Sequence, residues 1–186
     1  MTTEHDRQLL LQLAREAIGA HVGQSAISGP SAIRSPQSAM TDALARPGGA
    51  FVTLHHGGEL RGCIGHIETT EPIGRVVPRC AVSACSADPR FPSVTAAELA
   101  DIHIEISLLG PLEAIAGPQD VEVGRHGLVV ERGWQRGLLL PQVATQWHWD
   151  ADVFLAQTCH KAGLPIDAWK SGAKVWRFEA EVFSES

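Results

Sequence analysis

Between Asp101 and Leu109 the chain alternates without a break, with Ile102, Ile104, Ile106 and Leu108 on one face and His103, Glu105 and Ser107 on the other. Successive side chains of an extended strand point to opposite faces, so this segment is a strand with one apolar and one polar face. Its backbone needs neighbouring strands, and its apolar face needs a core.

Hairpins supply the neighbours. Phe51-Val-Thr-Leu and Glu59-Leu-Arg-Gly-Cys-Ile-Gly flank His55-His56-Gly57-Gly58, where the two glycines provide the positive φ of a tight turn. Gly127-Leu-Val-Val and Gly137-Leu-Leu-Leu form a second hairpin about Arg132-Gly133-Trp134 that ends at Pro141, and a last strand spans Lys174 to Phe183. Helices lie between them. From His5 to about His21, Leu10, Leu13, Ala14, Ala17 and Ile18 recur at helical spacing. Thr70 and Pro72 open a second helix, in which Ile73, Val76, Val77, Cys80, Ala81 and Ala84 repeat at three and four. That helix ends near Ala87, because each proline of Asp88-Pro-Arg-Phe-Pro pushes the residue before it out of the helical region. Asp150 caps a third helix through about Ala162, with Phe154, Leu155 and Thr158 inward and Gly163 as its stop. The Gly23 to Gly49 stretch reads as an irregular connection with one short helix around Ser38 to Arg46. No strand, Gly-rich turn and helix unit of the dinucleotide-binding kind occurs. The fold class is therefore α+β, an antiparallel sheet flanked by helices.

Size and charge narrow the function. A chain of 186 residues, 44% hydrophobic and 19% charged, suits one compact domain or two small lobes sharing a core. A formal charge of −6 is the wrong sign for tracking a phosphate backbone or an anionic bilayer. No apolar run approaches the ~20 residues that cross a bilayer, and the start Met1-Thr-Thr-Glu-His-Asp lacks the pattern of a signal peptide, so a cytoplasmic location is expected. Cys63, Cys80, Cys85 and Cys159 then read as reduced thiols. Their spacings fit no closed metal site: Cys63 and His66 point to opposite faces of a strand, and Cys159 and His160 point apart on a helix.

The segment Leu60-Arg61-Gly62-Cys63-Ile64-Gly65 stands out. Strict alternation puts Arg61 and Cys63 on one face, where a guanidinium favours a thiolate, and Gly62 and Gly65 leave room for a ligand or a backbone to approach the sulfur. The alternative is a small core cysteine with glycines marking a bulge. Asp88 and Arg90, two residues apart in a loop stiffened by prolines, present fixed charges to a ligand or to a neighbouring strand. His126 is a candidate base toward Cys63, or a turn histidine bonded to backbone. Glu105 lies on the polar face of its strand, where a solvated or paired carboxylate is the default. Trp147 and Trp149 read as packing residues rather than a base-stacking platform, given the net charge.

Taken in order, Arg61-Gly-Cys-Ile-Gly, Asp88-Pro-Arg-Phe-Pro, Glu105-Ile-Ser, Gly124-Arg-His-Gly-Leu, Gly137-Leu-Leu-Leu-Pro-Gln-Val-Ala, Lys161-Ala-Gly-Leu-Pro and Ala168-Trp closely resemble the AMMECR domain family, over about Gly48 to Phe183. The resemblance implies a single AMMECR-type domain preceded by an N-terminal helix and connection over 1–47. It implies a larger and a smaller subdomain with a cleft between them, and the Leu-Arg-Gly-Cys-Ile-Gly segment as the functional site. It also implies the A component of an AmmeMemoRadiSam system, with a Memo-type protein and a radical S-adenosylmethionine enzyme as partners. Two departures from the family pattern are Gln146, where a glutamate is usual, and His148, where a glycine is usual.

Two functions follow. In the first, Cys63 is a nucleophile or ligand, tuned by Arg61 and His126, with Gly62, Gly65, Asp88, Arg90, Phe91 and Glu105 holding a small molecule. In the second, the Arg61 to Gly65 segment is a non-catalytic recognition surface for a partner. Nucleic-acid binding is disfavoured by the charge.

Overall fold

The computed structural model describes residues 2–26 and 41–185. Most of the expected 23–49 connection therefore lies outside the described residues, and its short helix is seen as α2, Asp42–Ala45. The chain divides into two compact units, one running to Leu108 and resuming at Glu181, the other spanning Leu109–Ala180. Both are α+β, with antiparallel strands flanked by helices.

In the larger unit, α1 (Glu4–Ala26) starts at a reciprocal cap, where Asp6 N–H donates to Thr3 Oγ1 and Thr3 N–H to Asp6 Oδ2. Asp6 also accepts from Thr41, the N-cap of α2. Thr41 first and Thr3 second hold this carboxyl down at about 2. The hairpin of β1 (Ala50–His56) and β2 (Glu59–His66) closes on Gly57 and Gly58, with φ of 59° and 86°, as a type I′ turn requires. β3 (Ile102–Leu109) pairs with the other side of β1, which leaves β2 at the edge. Val52, Leu54, Ile104 and Ile106 share one face and are buried with Leu10, Ala14 and Ile18 of α1 and with Val76, Val77, Cys80 and Ala84 of α3 (Ile73–Ser86). The expected apolar faces of both helices and of β3 are thus the observed core. Pro72 precedes α3 without a side-chain cap.

In the smaller unit, β4 (Glu113–Ala114) and β5 (His126–Arg132) both pair with the part of β7 (Lys174–Ser184) that precedes Glu181, and β5 pairs with β6 (Gln135–Leu139). Pro141 ends a strand as expected but also starts a helix the periodicity did not reveal, α4 (Pro141–Gln146), where proline fits the first turn. α5 (Ala151–Lys161) carries Phe154, Leu155 and Thr158 inward under Asp150, whose carboxylate accepts Val153 N–H at 2.8 Å.

Both helices end in the same device. Gly163 N–H reaches His160 O and Leu164 N–H reaches Cys159 O, the paired bonds of a Schellman motif, with Gly163 at φ 72°. At the end of α4, His148 N–H reaches Thr145 O and Trp149 N–H reaches Ala144 O, but the left-handed position, φ 53°, is held by His148. Trp149 packs on the unit's core, whereas Trp147 is 67% exposed, so the expectation that both tryptophans are packing residues holds only for Trp149. Among the described residues, no helix is long and apolar enough to cross a membrane.

Candidate functional site

The register of the first hairpin decides where Cys63 points. Next to the turn, His56 pairs with Glu59 and His55 with Leu60, but the next pair is Leu54 with Gly62, so Arg61 is an extra residue on β2. This bulge shifts everything beyond it by one residue. Cys63 lies opposite Thr53, and Thr53 lies opposite Glu105 on β3. An unbulged hairpin would have set Cys63 opposite Val52, whose side chain is in the core. The bulge therefore puts Cys63, Thr53 and Glu105 in one row on the face away from α1 and α3.

Within that row Thr53 Oγ1 donates to Cys63 Sγ at 3.3 Å. Burial pushes the thiol up, opposed by the Thr53 hydrogen bond and the charge of Arg90, and reinforced by Asp88 and Glu105. The neutral thiol is the favoured form. Cys80, Cys85 and Cys159 are buried, and burial lifts Cys80 to about 11.

Because β2 is an edge strand, the main chain of Cys63 faces away from β1, and the Asp88-Pro-Arg-Phe-Pro loop meets it there. Cys63 N–H donates to Asp88 Oδ2 at 2.8 Å, and Arg90 Nη2 donates to Cys63 O at 3.3 Å. Asp88 further accepts from Arg90 N–H at 3.1 Å, Nε at 2.9 Å and Nη2 at 2.7 Å. Its side chain is only 2% exposed, and the Arg90 hydrogen bonds hold the carboxyl well below the usual carboxylate range. Arg90, half exposed, lies 5.4 Å from the centroid of the Phe91 ring. Asp88 and Arg90 thus form one clamp on the backbone of the signature segment.

One expectation is corrected and another is narrowed. Arg61 does not tune Cys63: carried aside by the bulge, its guanidinium pairs with Glu98 at 2.8 Å and donates to the carbonyls of Pro92 and Ser93, and the cation acting on the thiol is Arg90. Arg61 and then Thr95 hold Glu98 at about 2. Of the two neighbours expected beside Gly62 and Gly65, a ligand or a backbone, it is backbone that comes close. A Cβ on Gly62 would lie 2.2 Å from Ala84 O of α3, and one on Gly65 would lie 2.4 Å from both Ala50 O and the Phe51 ring. The absent side chains make room for protein, not for a ligand.

His126 belongs to the smaller unit, where Glu122 N–H donates to its Nδ1 at 2.9 Å and burial lowers its pKa. This is the backbone-bonded turn histidine. Cys63, Asp88, Arg90, Phe91 and Glu105 are brought together in the larger unit. Thr53 and Glu98 were missed, and only the bulge would have marked Thr53, by setting it across from Cys63. Among the described residues, no group of three or more His, Cys, Asp and Glu could hold a metal.

The AMMECR1 family pattern matches residues 11–183. A protein of Methanothermobacter thermautotrophicus is 45% identical over 183 residues, covering 95% of this chain and 92% of the relative. One of Thermococcus onnurineus is 43% identical over 189 residues, covering 96% and 89%. The crystal structure of an uncharacterized protein from Pyrococcus horikoshii superposes with a TM-score of 0.86 at 39% identity, covering 95% of this chain and 90% of that one.

Proposed function

The chain belongs to the AMMECR1 family, and we propose that its Arg61 to Gly65 segment, braced by the Asp88 to Pro92 loop, is a rigid recognition surface for a partner protein. The supporting observation is the double hold on Cys63, whose N–H is fixed by Asp88 and whose carbonyl is fixed by Arg90. A main chain locked before binding loses little entropy when a partner arrives. Arg61 has given its charge to Glu98, and burial keeps the thiol neutral, an arrangement poorly set for nucleophilic attack. Leu60, the half-exposed Arg90 and the ring of Phe91 are what this region presents. The partners proposed are the Memo-type protein and the radical S-adenosylmethionine enzyme of an AmmeMemoRadiSam system.

Co-purification of the full chain with those two proteins tests the reading. Arg90→Gln and Phe91→Ala should each lower recovery severalfold, while Cys63→Ser leaves it unchanged. Loss of recovery on Cys63→Ser alone overturns it.

A second reading keeps Cys63 as a reactive or ligating thiol, and the observation in its favour is the Thr53, Cys63 and Glu105 row with Arg90 acting on the sulfur. Iodoacetamide separates the two, since the other cysteines are buried. Labelling of Cys63 slower than free cysteine at neutral pH supports recognition, and faster labelling supports chemistry at the sulfur.

A further inference from the structure

The smaller unit carries a residue its own fold does not use. Trp134 is 92% exposed at the tip of the β5–β6 hairpin, where Gly133, at φ 64°, takes the first turn position as a type II′ turn requires. The turn needs no large side chain at its second position, and a tryptophan contributes little to stability when it is left in water. Tryptophan, tyrosine and arginine are the residues most enriched at the energetic centres of protein interfaces.

The segments about Trp134 carry more cations than carboxylates. Arg132 precedes it in the hairpin. Gln135 Nε2 donates to Gly163 O at 2.6 Å, which ties the tip to the end of α5, where His160 and Lys161 are exposed. Ile166, 60% exposed, lies in the loop that follows, beside the carboxylate of Asp167. Arg136 is already paired with Glu131. On a chain of formal charge −6, the segments 131–136 and 160–167 carry Arg132, Arg136 and Lys161 against Glu131 and Asp167, a local excess of cations opposite in sign to the whole.

We propose that this hairpin tip docks an acidic segment of a partner protein, with Trp134 as the anchor and Arg132 and Lys161 as flanking cations. Charge complementarity selects the occupant. The net charge repels a polyanion or an anionic bilayer as it approaches, whereas a short protein segment brings only a few carboxylates within a Debye length of about 8 to 10 Å. The surface is independent of the Arg61 to Gly65 reading, and its test involves none of those residues.

Short random peptides displayed on phage and selected on the full chain, with Trp134→Ala as counter-selection, provide the test. Enriched peptides should be rich in Asp and Glu around one aromatic or aliphatic residue. Their affinity should fall about tenfold in Trp134→Ala and about threefold in Arg132→Gln or Lys161→Gln, and should weaken with added salt. An unchanged far-ultraviolet spectrum and melting temperature confirm that Trp134→Ala is folded, as its exposure requires. Enrichment without acidic bias, or equal affinity for the Trp134→Ala chain, overturns the proposal. So does Trp134-dependent binding to vesicles of phosphatidylserine and phosphatidylcholine, or self-association abolished by Trp134→Ala, in the absence of peptide binding.

Discussion

Replacing Asp88 by asparagine changes one atom type and should cost as much as many core truncations. The carboxylate accepts Cys63 N–H and Arg90 Nη2 through Oδ2, and Arg90 N–H and Nε through Oδ1, in a side chain only 2% exposed. An asparagine keeps one acceptor and presents an NH2 group in place of the other. Whichever way it is turned, two donors face a donor. Losing a charge-assisted bond costs roughly 1.5 to 3 kcal/mol each, and the half-exposed Arg90 recovers part of its share from water, which brings the total to about 2 to 4 kcal/mol. A loss of about 2 to 4 kcal/mol in urea unfolding is expected, which at roughly 2 to 4 °C per kcal/mol for this chain length lowers Tm by about 4 to 16 °C. Hydrogen exchange gives the local readout: the Cys63 amide should lose protection while the amides of β5 keep theirs. Arg90→Gln, which leaves the buried Asp88 carboxylate without its cation, should cost at least as much. A loss under about 1 kcal/mol with Cys63 still protected would refute the clamp.

Gly62→Ala should lower stability by about 1 to 3 kcal/mol, because the new methyl meets Ala84 O at 2.2 Å and α3 must move; a purely local role for Gly62 would leave chemical denaturation unchanged. His148→Gly should raise stability by about 0.5 to 1 kcal/mol, since a left-handed residue is relieved at φ 53°, while Gly163→Ala at φ 72° should lower it by about 1 kcal/mol; thermal melts of the two variants should move in opposite directions. Stability should also fall on acidification. Glu98 and Asp6 are both held at about 2 in the folded chain, against ordinary values of 4.5 and 3.8, and Asp88 is depressed further. Carboxyls lowered by folding stabilise fully above their unfolded values and stop doing so as pH drops through the folded ones, so the loss runs from about pH 5 to below pH 2. Urea midpoints measured across that range should decline steadily, and Glu98→Gln should flatten the upper part of the decline.

Local pattern carried much of this molecule. The alternation of Ile102 to Leu108 and the three and four spacing of Ile73 to Ala84 name the residues that meet in the core, because burial of one face is a property of a single element. Gly57-Gly58, Gly133 and Gly163 mark turns and a helix end, since positive φ is a demand the residue itself must meet. Asp88 and Arg90 stand out as a rigid charged pair, and Cys63 as the thiol that is not simply core. By itself the sequence thus determined most of the elements, their apolar faces and the segment that carries the exceptional thiol. Tertiary structure decided what that segment does with its side chains. One extra residue at Arg61 turned Cys63 toward Thr53 instead of Val52, and no periodicity reveals a register shift before the strands pair. Arg61 found Glu98 thirty-seven residues away, and Cys63 N–H found Asp88 twenty-five residues away. Contacts across such separations depend on how the loop after α3 returns to the edge of β2, so an arginine two residues from a cysteine in sequence can be spent elsewhere, while another, twenty-seven residues on, reaches the cysteine's carbonyl.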